Sequence, residues 1–498
     1  MKKIVSLLLA GLLTVGLLAG CSGDGDSTPT TKADQTTAAT TKAPDVDPDP
    51  TDTPKEIPTI TWIQIGGGEP ANLAEAVEIM NEYTAEKIGV KIDLKFFSWG
   101  DWEKGTNNML NTGEYFDIMF TNTRHFTGHA LQGKFMDIGP LLDTVPDLKA
   151  FMPEALWKAV TIRDSIYSVP TYKDSAMTQY FAYDKALVEK YDIDITAVKS
   201  LQDLDAVLRI IKAGEEAETG ETMYPLPLHK EGISAVLDTY FANNVRFDDA
   251  SGKVENIYER DEVVKDLELI HKWFEDGLIN PDASTLEEAP KYRAVFVVQA
   301  FAGAEVNLTA DRGYDIVIEP YSKTVYSTDS IQGSLNAISA NSNYPEESLK
   351  YLELINTDNY LRNLFAYGVP DKEWKDNGDG TITKLTDTWN APAYSQATFF
   401  EMSPVAPNSP EQWTMVQAQN KSAIAHVILG FTLDDTNIST EFLNVNNIIT
   451  ARRPELLTGA YQGSTADYLK AMNDEMFAAG LQTVLDETQA QVNTFLGK

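Results

Sequence analysis

The amino-acid sequence predicts an α/β protein that ends in a helical part. Three observations predict it. Strand-like and helix-like periods alternate through the first part of the body, beginning near Thr59. Residues that start and stop helices fall where the apolar stripes begin and end. After about residue 385 the pattern becomes mostly helical, and no repeat of 20–50 residues stands out.

Thr59-Ile60-Thr61-Trp62-Ile63-Gln64-Ile65 reads as the first strand and stops at Gly66-Gly67-Gly68. A helix follows, with Leu73, Val77, Met80 and Tyr83 on one stripe and Gly89 at its C-terminal cap. In the next stretch Val90, Ile92, Leu94 and Phe96 alternate with Lys91, Asp93 and Lys95, the mark of a half-buried strand. The loop Ser98-Trp99-Gly100-Asp101-Trp102 leads to a short helix and then to an apolar strand, Phe116 to Phe120. Strand, helix, strand, helix, strand implies a parallel sheet with crossover helices. Further on, Ser200 with Asp203 resembles a capping box that opens a helix carrying Leu201, Leu204, Leu208 and Ile211. Val264, Leu267, His271 and Phe274 form another stripe, ended by Gly277. Tyr292 to Val298 and Asp315 to Ile318 read as strands, and Pro345 sits near the first turn of a helix bearing Leu349, Leu352 and Ile355. Thr465 to Leu496 reads as one or two surface helices.

The two ends of the chemistry are set by charge and by one thiol. Met1-Lys2-Lys3 is followed by an uncharged apolar run from Ile4 to Ala19, the pattern of a secretory signal peptide spanning residues 1–20. It closes in Leu18-Ala19-Gly20-Cys21, which looks like a bacterial lipobox. Lipidation needs a thiol there, because the diacylglyceryl group (palmitate-type chains) is attached through a thioether. Several acyl chains then anchor the protein stably to the extracytoplasmic face of the cell membrane, where one chain would not. Cys21 is the only cysteine, which excludes an internal disulfide or a thiolate metal cluster. Residues 21–57 are mostly Thr, Asp, Pro, Ala and Gly without an aromatic ring, and predict a disordered leash of roughly 30–35 Å root-mean-square span. The formal net charge of -34 argues against a nucleic-acid partner.

Motifs for catalysis fail on inspection. Gly128-His129-Ala130-Leu131-Gln132-Gly133-Lys134 has phosphate-loop spacing, but Phe135 stands where a hydroxyl must hold magnesium. Asn377-Gly378-Asp379-Gly380 looks like a calcium loop, yet Lys375 and Thr386 occupy positions that require carboxylates. A hairpin turn explains the same residues. His125 and His129 share a helix face without the Glu of a zinc protease, and no Gly-x-Ser-x-Gly elbow occurs. A glycosidase pair among so many carboxylates stays open, with chance proximity as its competitor. No cofactor or metal is expected.

Ligands of open α/β sheets bind at the carboxyl ends of strands. Trp99 and Trp102 follow one strand, and Asn122 and Arg124 follow another. Flat rings beside amides and charges suit a sugar, with its apolar C–H face and rim of hydroxyls. Either tryptophan could instead pack the edge of the sheet.

Four stretches together carry a resemblance. They are Phe116-Asp117-Ile118-Met119-Phe120; Ile166-Tyr167-Ser168-Val169-Pro170; Tyr180-Phe181-Ala182-Tyr183-Asp184-Lys185-Ala186-Leu187; and Gly333-Ser334-Leu335-Asn336-Ala337-Ile338-Ser339 with the following Asn343 to Leu354. In this order they resemble the extracellular solute-binding proteins of bacterial ABC importers, in the large carbohydrate-uptake class. Trp99-Gly100-Asp101, Pro225-Leu226-Pro227-Leu228, Gly303-Ala304-Glu305 and Tyr367-Gly368 resemble a larger subfamily, whose C-terminal region has no assigned function. Two departures stand out: Arg124 replaces a common aromatic, and few Trp or Tyr cluster after Pro170.

The resemblance implies a two-lobe periplasmic-binding-protein-like fold (type II) with a helical C-terminal extension. Residues 58–174 with about 328–370 would form the first lobe, 175–327 the second, and 371–498 a mostly helical region packed on them. A monomer would close on a sugar or oligosaccharide and present it to membrane permease subunits. The candidate ligand-binding residues are Trp62, Glu69, Trp99, Trp102, Asn122, Arg124, Tyr172, Glu305 and Gln332, none of them catalytic. A peptide or other non-sugar ligand in the same fold, or a surface glycosidase, are the alternatives.

Overall fold

The computed structural model describes residues Glu56–Lys498, so the expectations for the signal peptide, Cys21 and nearly all of the leash lie outside the described residues. Four strands come from the first part of the chain: β1 (Thr59–Gly66), β2 (Lys91–Ser98), β3 (Ile118–Thr121) and β4 (Val169–Pro170). The chain then crosses to a second sheet of β5 (Gln179–Asp184), β6 (Val295–Gln299) and β7 (Ile316–Pro320). It returns through β8 (Val325–Tyr326) and re-enters the first sheet as β9 (Leu335–Ile338).

The first sheet has the order β2-β1-β3-β9-β4. β1 pairs parallel with β2 and with β3, and β9 runs antiparallel to both of its neighbours. The carboxyl ends of β1 to β4 and the amino end of β9 therefore share one edge. Both crossings leave from that edge, so the second lobe stands opposite it. Met177 of the first crossing bridges Val325, and β8 pairs in parallel with Ile424–Ala425, so three passages of chain lie side by side between the lobes.

Apart from the edge strand β2, whose one face is half-exposed, the strands of each sheet are covered on both faces, and β3 and β5 accordingly read as apolar runs. Alternation along β1 sends Ile60 and Trp62 to one face, against Met80, Leu349, Leu352 and Phe365. Ile63 and Ile65 go to the other, against Trp102, Met109 and Phe120. The helix Leu73–Ile88 stops at Gly89, whose φ of 66° closes it in the left-handed conformation. In the second lobe β5 is the central strand, buried at all six residues, and β6 and β7 pair antiparallel to it. The helix Leu201–Thr219 covers it, started as predicted by Ser200, whose hydroxyl accepts from Asp203 N at 3.1 Å.

Some boundaries differ from the periodicity. The third strand begins at Ile118, not Phe116, and the strand expected from Tyr292 begins at Val295, with Tyr292 exposed. Helices dominate only from Gln412 onward. Residues 371–411 form the hairpin Trp374–Asp376 with Ile382–Lys384 and then irregular chain, as their Gly, Pro and Asp content dictates. The calcium-like Asn377–Gly380 is the turn of that hairpin. The phosphate-loop look-alike is a short helix, Phe126–Leu131, and a turn, with Lys134 Nζ donating to Leu110 O at 2.8 Å.

The helices Ser439–Thr458, Thr465–Ala478 and Leu481–Phe495 bury Leu456, Leu469, Met472, Met476 and Val484 against Leu237, Tyr258, Val263 and Leu267 of the second lobe. His271 fastens this contact: its ring stacks on Tyr461 at 4.2 Å, and its nitrogens lie 2.8 and 2.9 Å from the carbonyl oxygens of Gly459 and Gly463.

Candidate functional site

The shared strand edge of the first lobe carries the candidate site. After β2 the chain turns at Ser98, whose hydroxyl donates to Asp101 at 2.6 Å, and this leaves Trp99 projecting with 52% of its surface exposed. Its ring lies nearly parallel to that of Tyr394, 22° apart with centroids at 6.3 Å. Tyr394 in turn meets Phe120, at the end of β3, edge to face. An indole held half out of water on a second ring is a ready surface for an apolar ligand face.

Tyr394 belongs to a loop, residues 389–398, that lies over the strand ends and is fixed by buried polar groups. Asn336 in β9 accepts from Trp62 Nε1 at 3.1 Å and donates to the carbonyls of Gln396 at 2.8 Å and Ser395 at 3.2 Å. Ser395 Oγ donates to Gln64 Oε1 at 2.8 Å, and Ser334 Oγ donates to Tyr394 O at 2.5 Å. From below, the fully buried Arg362 donates to Thr398 O at 2.6 Å, Ala393 O at 2.9 Å and Gln396 Oε1 at 3.0 Å. Burial pushes this guanidinium down to about 10. Gly66 and Gly67 let the loop approach: a Cβ on Gly67 would come 2.7 Å from Asn390 Nδ2. The glycine triplet thus serves a close approach of chain.

The nine sequence candidates separate by burial. Trp99, Asn122, Arg124 and Glu69 line the strand edge and are exposed or half-buried. Asn122 Oδ1 accepts from Arg124 N at 3.2 Å, and Arg124 Nη1 lies 3.5 Å from Glu103. Glu305 opens the helix Glu305–Arg312 just beyond β6, at the end of the second lobe nearest the crossings. Of the other four, three are corrections. Trp62 is 0% exposed and spends its indole N–H on Asn336, because alternation along β1 turns it into the core. Trp102 starts the helix Trp102–Thr112 and packs on Phe97 and Phe120. Tyr172 is walled in by Phe151 and Phe400, and Gln332 donates inward to Ala159 O at 2.7 Å. Trp62, Trp102 and Tyr172 build the lobe and present no free face in this conformation, whereas Gln332 also lines a cavity beside Arg124.

Beside Arg124 a cavity of about 460 Å³ opens between the lobes. Thr123 and Arg124 line it from the first lobe, Ala242 and Asn243 from the second, and Thr328 and Asp329 from the return crossing. His426, Phe431 and Asp435 close it from the C-terminal side. Burial raises the Asp329 carboxyl above its usual range and lowers the His426 imidazole to about 4. His426 Nδ1 accepts from Ile428 N at 3.2 Å, which leaves the ring neutral with its proton on Nε2. Sequence reasoning missed Tyr394 and His426, since neither lies on a periodic element. Among the described residues no cluster of three or more His, Cys, Asp or Glu could hold a metal ion.

Two α/β lobes joined by side-by-side crossings, with an aromatic and polar strand edge facing the gap, are the architecture of a solute-binding protein. The chain belongs to the bacterial extracellular solute-binding proteins, whose family profile matches residues 67–358. A second profile, a domain of unknown function, matches residues 427–497. A Streptococcus pneumoniae protein described as a carbohydrate ABC transporter substrate-binding protein is 27% identical over 472 residues, covering 88% of this chain and 91% of that protein. The crystal structure of the N-glycan transport solute-binding protein NgtS from Streptococcus pneumoniae overlays with a TM-score of 0.78 at 25% identity, covering 89% of this chain and 99% of that one. NgtS in complex with Man5GlcNAc overlays with a TM-score of 0.63 at 25% identity, covering 88% and 99%.

Proposed function

We propose that this protein captures a neutral oligosaccharide between its lobes and delivers it, unaltered, to the permease of an ABC importer. The single observation that carries this reading is Trp99, a large ring left 52% exposed at the strand edge and backed by Tyr394. Sugars stack their C–H faces on such rings and bond their hydroxyls to amides and charges around them, here Asn122, Arg124, Glu69 and Asn243. The relatives described as carbohydrate and N-glycan receptors support it. The overlay on NgtS falls from 0.78 to 0.63 when the comparison is its Man5GlcNAc complex. That drop supports reading the described conformation as the open one, from which ligand selects closure.

The reading includes a lipid anchor on Cys21, supported by Leu18-Ala19-Gly20-Cys21 after an apolar run. The test is calorimetric titration with Man5GlcNAc and a panel of neutral glycans, followed by chromatography of the recovered sugar. Binding with intact glycan and compaction in X-ray scattering is expected. Steady turnover of a bound glycan, lost on changing one carboxylate, would replace the receptor by a glycosidase.

A further inference from the structure

The segment matched to the solute-binding family ends at residue 358, yet the loop 389–398 lies on the strand edge of the first lobe, the side on which open α/β sheets bind ligands. The loop is held there by side chains from β1, β9 and the helix Asn359–Tyr367, among them Gln64, Asn336 and the buried Arg362. Fixing of this kind is what a binding surface requires, since a contact ring must be positioned before the ligand arrives. Tyr394 is the residue so positioned. Its ring is half-buried against Phe120 and Trp99, and burial raises its phenol above the usual range. Its hydroxyl has no hydrogen-bond partner among the described residues and is not sealed from solvent. A phenol held at a strand edge with both donor and acceptor capacity unspent is suited to a ligand hydroxyl.

We infer that Tyr394 is a second ligand-contacting ring, that its hydroxyl hydrogen-bonds the sugar held on Trp99, and that the loop 389–398 thereby sets which sugar is accepted. Arg362 acts through the loop and is a positioning residue. The inference rests on the sugar-receptor reading, and the experiment separates the two. Titrations with Man5GlcNAc and the same neutral glycan panel are run on the parent, Tyr394→Phe, Tyr394→Ala and Trp99→Ala, with unfolding of each ligand-free variant as control. Tyr394→Phe keeps the ring and should weaken binding about threefold to tenfold, the share of one neutral hydrogen bond. Tyr394→Ala should weaken it about tenfold or more, as Trp99→Ala does. A crystal structure of the parent with its tightest glycan should place a sugar oxygen within about 3.2 Å of Tyr394 Oη, whatever the variants' stability. A parent that binds glycan with Trp99→Ala weakened, but with both Tyr394 variants unchanged or no sugar near Oη, overturns this inference alone. A parent that binds no glycan of the panel overturns the receptor reading and this inference with it.

Discussion

Trp99 and Trp102 stand three residues apart, and the structure gives them opposite consequences when removed. Trp99 is 52% exposed, whereas Trp102 is 6% exposed and enclosed by Phe97 and Phe120. A tryptophan presents up to about 250 Å², so about 130 Å² of Trp99 faces water and one sugar would cover roughly half of that. At about 25 cal/mol per Å² this is about 1.5 kcal/mol, or roughly tenfold in Kd. Truncating Trp99 to Ala forfeits that affinity and, for the folded protein, only the contact with Tyr394, worth about 1 kcal/mol. Trp102→Ala opens a cavity in the first lobe and should cost about 3–5 kcal/mol of stability. Calorimetric titration with the tightest glycan, paired with urea unfolding of the ligand-free proteins, reads both quantities. The reasoning fails if Trp99→Ala binds like the parent, or if Trp99→Ala destabilises the protein as much as Trp102→Ala.

Three further outcomes are expected. Arg362→Met strands at least three acceptors in the first lobe and should cost at least about 3 kcal/mol in urea unfolding; an unchanged midpoint would mean the loop is not held from below. His426 takes up its proton near pH 4 when folded and near the usual 6.5 when unfolded, so the unfolded chain binds more protons between those values. Stability should therefore fall as pH drops from 6.5 to 4, by about 3 kcal/mol from this group; His426→Asn should remove that share of the slope, and parallel curves for the two proteins would refute it. Cys21→Ser should shift the protein from the detergent phase to the aqueous phase in phase partitioning, and unchanged partitioning would rule out the thioether anchor.

The fold was legible where periodicity is local. β2 alternates cleanly because one of its faces is half-exposed, and the helix ends were marked by Ser200 and Gly89. Which face of β1 meets solvent was not legible, since apolar residues fall on both of its faces, Ile60 and Trp62 on one and Ile63 and Ile65 on the other, and both faces are buried. Trp62 was misread for that reason. Trp102 was misread because one residue, Asp101, separates loop from helix, and the helix turns its first side chain inward. Tyr394 and its supports could not be read at all. Their signal is a set of hydrogen bonds between residues distant in sequence, set in a stretch without helix or strand period. Arg362, an apparently ordinary helix residue, shows its purpose only once the loop above it is seen.

The bonds that complete the first lobe also fix when it can form. Trp62 waits for Asn336, 274 residues later, and Gln64 waits for Ser395, 331 residues later. β9 must slot between β3 and β4 before the first sheet is whole. A chain with contacts so far apart folds slowly, because long loops must be closed before the contacts reward it. Until the chain up to residue 398 is available, the first lobe lacks both a central strand and the loop that is clasped over its strand edge.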